Sequence, residues 1–99
     1  MNLQTEEEEA CRIEDAWAGI LDAVNKARSK HSPFNSVYEG LTFIRFEMLE
    51  IEEAVKERQI DVAKTRKELM HTIVCCLRTD AALVAQANGE AFLKRRDKE

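Results

Sequence analysis

Ninety-nine residues, 34% of them charged, fit one domain spanning residues 1–99. Acidic residues outnumber basic ones 19 to 15, so the net charge is −4 and no basic excess draws the chain to nucleic acid. No apolar run approaches the roughly 20 residues of a membrane span, and the acidic start is neither a signal nor a transit peptide, so the expected location is the cytoplasm.

Met1 to Gln4 is expected to be frayed. Thr5-Glu-Glu-Glu8 then matches a capping box, and Glu6 to Glu9 suit the positive end of a helix dipole. Cys11, Cys75 and Cys76 are odd in number and lack CxxC spacing, so they read as small buried thiols. Ile13, Trp17, Ile20, Val24 and Ala27 recur at helical spacing. They predict an amphipathic helix near residues 5–29, closed by Lys26, Arg28 and Lys30 at its negative end. Trp17 sits within that stripe and reads first as core. His31 to Ser36 breaks the pattern with Ser32-Pro33 and Asn35-Ser36, and Pro33 disfavours helical geometry at Ser32.

Ser36-Val-Tyr-Glu39 is a second capping box, predicting a helix near 36–58. Val37, Leu41, Ile44, Met48, Ile51 and Val55 form its apolar stripe, expected to face the core. Gly40 is costly inside a helix and marks a close approach. Glu47 and Glu50, three apart, lie together at the margin of the stripe. Carboxylates so placed repel each other and resist desolvation unless something pairs with them, as a divalent cation does.

Asp61 or Thr65 caps a third helix near 61–87, with Asn88-Gly89 as its stop signal. Leu69, Met70, Ile73, Val74, Cys76, Leu77, Ala81 and Val84 cover more than half its circumference, predicting a central, largely buried helix. Glu68, His71, Cys75 and Arg78 share the remaining face, and Glu68 and His71 repeat the three-residue spacing. A short last helix over 90–96 and a frayed tail over 94–99 complete the all-α reading. So wide an apolar arc predicts a homodimer or a dimer of dimers with the second and third helices at the interface.

Glu-x-x-Glu at 47–50, followed after residues 51–67 by Glu-x-x-His at 68–71, resembles the metal motif of the MazG-like all-α nucleotide pyrophosphohydrolases. The likeness covers about Ser36 to Leu83. Two positions depart from the family pattern: Phe46 stands for a leading Glu, and His71 for an Asp. The resemblance implies a helical bundle completed by oligomerisation. It also implies hydrolysis of a nucleoside triphosphate to monophosphate and pyrophosphate, in a house-cleaning role. Glu47, Glu50 and Glu68 are its implied catalytic carboxylates. With His71 they are the implied ligands of Mg²⁺, or of Mn²⁺ or another divalent ion. Arg45, Lys64 and Arg78 are implied to neutralise phosphates, and Trp17, Tyr38 or Phe43 to stack on a base. Two other readings share these residues. One is a dinuclear metal protein, since Glu-x-x-His with a Glu on another helix is half of such a site. The other is a helical interaction module that keeps the bundle and binds no metal.

Overall fold

The structure, a computed structural model, describes residues 3–97, with side chains through Gly89. It contains three helices: α1 (Glu6–Lys30), α2 (Val37–Lys56) and α3 (Val62–Asp97). No strand occurs among the described residues.

The helix starts follow the sequence. At α1, Thr5 Oγ1 accepts the Glu8 amide at 3.1 Å and the Glu8 carboxylate accepts the Thr5 amide at 3.0 Å, a complete capping box. At α2 the box is half made. Ser36 Oγ accepts the Glu39 amide, but the Glu39 carboxylate turns to the Asn35 amide in the loop. Asp61, rather than Thr65, begins α3: its carboxylate accepts the Lys64 amide at 3.1 Å.

Asn88-Gly89 does not stop α3, which is one continuous helix to Asp97 rather than a long helix and a short one. A glycine stop needs a left-handed residue, and no glycine among the described residues has positive φ. Of the fraying expected over 1–4 and 94–99, residues 1–2 and 98–99 lie outside those described.

α3 is the axis. At about 1.5 Å per residue its 36 residues span about 54 Å, most of the 63 Å length of the molecule. Gly19 lies beside the Met70 methyl and Ser32 beside Arg78, so α1 runs with α3. Gly40 lies against Thr79 and Glu47 near Glu68, so α2 runs antiparallel to it, as expected across a short connection. No helix contact joins α1 to α2.

The buried apolar residues are Ile20, Ala54, Val74, Cys75 and Ala82. This corrects two expectations about which faces turn inward. On α2 the buried residues are Gly40 and Ala54, and Val37, Ile44 and Ile51 of the expected core stripe are half-buried beside them, while its other members Leu41, Met48 and Val55 are exposed. On α3 Val74 of the expected apolar set is buried and Met70 half-buried, and the remaining face, with Glu68, Cys75 and Arg78, packs toward α2 and the loop, whereas Leu69, Ile73, Leu77 and Val84 are exposed. The cause is steric. A Cβ at Gly40 would collide with Thr79 Oγ1, and that approach of the backbones sets the rotation of both helices. Cys11 and Cys76 are exposed; only Cys75 is the buried thiol expected of all three.

Candidate metal centre

The turn-by-turn geometry of two antiparallel helices assembles the site. Glu47 projects from α2, and Glu68 and His71 from successive turns of α3. One ligand atom from each of these three lies within 4.8 Å of the others. Oε2 of Glu47 and Oε2 of Glu68 are shielded from solvent and accept no hydrogen bond. A buried acceptor without a partner costs about 1–3 kcal/mol, and more when ionised. A cation between the two helices would offset that cost.

Glu50 stands at the margin. Its carboxyl is pushed above the ordinary value, first by a hydrogen bond shared with Glu68, then by desolvation and by the Glu68 charge. A hydrogen bond to Glu47 and the charge on His71 act the other way. Cys75 lies below the group. Burial, then the Glu47 charge, pushes its thiol up against the opposing pull of Arg78, which keeps it a protonated packing residue.

Two carboxylate oxygens and an imidazole nitrogen fit a divalent ion. The nitrogen suits Mn²⁺, Fe²⁺ or Zn²⁺ better than Mg²⁺, which prefers oxygen ligands throughout.

Two concavities meet at this group. Glu68 opens with Glu50, Glu53, Glu57 and Lys64 onto a cleft of about 430 Å³. Glu47 and His71 open onto a groove of about 810 Å³ between the C-terminal end of α1, the 31–36 loop and the α2–α3 pair. The loop is held to α3 by Arg78. Its guanidinium donates to the Ser32 carbonyl at 2.7 Å and lies 4.1 Å above the centre of the Phe34 ring. Phe34 in turn stacks on Phe43, centroids 5.3 Å apart and planes within 10°.

Of the sequence-predicted residues, Glu47, Glu68 and His71 come together, with Glu50 beside them. Arg78 and Phe43 line the larger groove and Lys64 the smaller cleft. Trp17 and Arg45 are exposed and line neither, as is Tyr38. Sequence reasoning missed Phe34 and Lys67, and read Lys26 and Lys30 only as helix-end cations. Phe34 lies in a loop with no periodic spacing, and the lysines converge only through the α1–α3 packing. No protein-family model matches this chain, no curated protein matches it, and no solved structure matches it.

Proposed function

We propose that the chain is a divalent-cation-dependent nucleoside triphosphate pyrophosphohydrolase of the house-cleaning kind that its paired motifs resemble, working as a homodimer or a dimer of dimers. The observation that supports this most is the convergence of two solvent-shielded, unpartnered oxygens, one each from Glu47 and Glu68, with His71. Glu47, Glu68 and His71 would hold the ion. When bound, a divalent ion neutralises phosphate charge and lowers the pKa of a coordinated water. Glu50 would take the proton of a water that attacks the α-phosphorus, and pyrophosphate leaves as the α–β bond breaks.

Calorimetric titration with Mg²⁺, Mn²⁺ and Zn²⁺, followed by assay of pyrophosphate release, tests the reading. The expected result is tighter binding of Mn²⁺ than of Mg²⁺, and Mn²⁺-supported release of pyrophosphate from nucleoside triphosphates. If no divalent ion binds, the metal-site reading is lost and the interaction module takes its place. The mixed oxygen and nitrogen donor set favours one second reading, a dinuclear metal protein in which another copy supplies a matching half-site. Iron retained through purification, without hydrolysis, selects it.

A further inference from the structure

The two concavities that meet at the metal group carry opposite charge. Glu50, Glu53, Glu57 and Glu68 against Lys64 give the smaller cleft three formal negative charges in excess, four minus one. Lys26, Lys30, Lys67 and Arg78 against Glu39 and Glu47 give the larger groove two formal positive charges in excess, four minus two. That excess stands out in a chain whose net charge is −4. A cation held by Glu47 would raise it further.

The four basic groups are not equivalent. Arg78 is engaged by Ser32 and Phe34, and Lys26 pairs with Asp22 at 3.1 Å. Lys30 and Lys67 make no ion pair among the described residues, so their ammonium groups are free to take an anion. Phe43 is half exposed on the groove wall and is held at a fixed angle by its stack on Phe34. A rigid aromatic face beside free cations recognises a planar ring joined to a polyanion. The volume, about 810 Å³, lies within the range of small-molecule pockets.

We infer that this groove is the ligand site of the chain. Lys30 and Lys67 bind the phosphates of an aromatic-ringed polyphosphate, Phe43 packs on its ring, and the acidic cleft is left to cations. The inference rests on the proposed function for the chemistry at the groove floor, but ligand binding by the groove is measured apart from turnover. It also moves the phosphate contacts from Arg45 and Lys64, implied by the motif resemblance, to lysines on α1 and α3.

The test is binding of inorganic tripolyphosphate and of α,β-methylene adenosine triphosphate, with and without Mn²⁺, to wild type and to single variants. Lys30→Ala and Lys67→Ala each weaken both ligands about tenfold, Lys67→Arg restores affinity, and Arg66→Ala, at an exposed cation that lines neither concavity, leaves it unchanged. Phe43→Leu weakens the nucleotide and not tripolyphosphate. Circular dichroism melts confirm that each variant is folded, and the Lys67→Arg rescue separates charge from folding. If Lys64→Ala abolishes binding while Lys30→Ala and Lys67→Ala do not, the groove assignment is overturned, even in a protein that binds Mn²⁺ and hydrolyses triphosphates. If the lysine variants lose tripolyphosphate binding in a protein that never hydrolyses, the groove stands and the hydrolase reading falls.

Discussion

In the proposed metal site an imidazole nitrogen stands where Mg²⁺ prefers oxygen, so His71 would set the metal preference. His71→Asp adds a hard ligand beside Glu47 and Glu68 and is expected to tighten Mg²⁺ about tenfold, the effect of about 1.4 kcal/mol. Calorimetry on both forms checks it, and unchanged Mg²⁺ affinity removes His71 from the ligand set. Glu50 governs the metal-free site. Its folded pKa is raised, so its contribution to stability is complete below the ordinary carboxyl value and is lost as pH rises through the folded value. Metal-free melting temperature therefore falls as pH climbs above the usual carboxylate range. Glu50→Gln, which donates to Glu68 without needing a proton, flattens that fall. A variant with the slope of wild type rules Glu50 out as its source. Glu47, Glu68 and His71 were legible because a three-residue spacing on a helix survives any choice of partner face. The Phe34–Phe43 stack was not, since a loop residue has no spacing to read.

Along the elements, caps were more legible than faces. Thr5, Ser36 and Asp61 fix their helix starts through bonds within four residues, so sequence alone locates them. The inner face of α2 was half legible: Val37, Ile44 and Ile51 of the apolar stripe turn inward, but Leu41, Met48 and Val55 do not. Close approach at Gly40 puts Gly40, Glu47 and Ala54 on that same inner side. Two glycines measure that difference. Gly40→Ala sets a methyl against Thr79, whose hydroxyl is already bonded to the Cys75 carbonyl, and is expected to destabilise by about 1–3 kcal/mol. Gly19→Ala meets only the Met70 methyl at 3.8 Å, an ordinary contact, and is expected to stabilise by about 1 kcal/mol through helix propensity. Thermal melts of the pair decide the point. Equal shifts of one sign reject the close α2–α3 contact.

At the scale of the molecule, no side chain among the described residues is fully buried, and Leu69, Ile73, Leu77 and Val84 make an apolar seam down the outer face of α3. Leu41, Met48 and Val55 do the same along α2. Exposed apolar surface of this kind fits the proposed homodimer or dimer of dimers, which the wide apolar arc of α3 led us to expect. Light scattering at tens of micromolar, an order-of-magnitude working range, is expected to give at least twice the 11.4 kDa chain mass. Ile73→Glu is expected to shift the protein toward monomer. A monodisperse monomer in the unsubstituted protein refutes the interface. No helix among the described residues is long and apolar enough to cross a membrane.

The attachment of α1 carries one more consequence. α2 and α3 are neighbours in sequence, joined across residues 57–61, whereas α1 rests on α3 alone. A hairpin of local contacts forms early and opens late; a helix docked on one side detaches on its own. Amide exchange should therefore divide the chain in two, with α1 exchanging through a low-energy opening and the α2–α3 hairpin only through global unfolding. Lys30 rides on the mobile unit, while Glu47, Glu68 and His71 belong to the stable one. A polyphosphate that spans both should slow exchange in α1 far more than a metal ion alone, so that the outermost helix becomes the readout of an occupied groove.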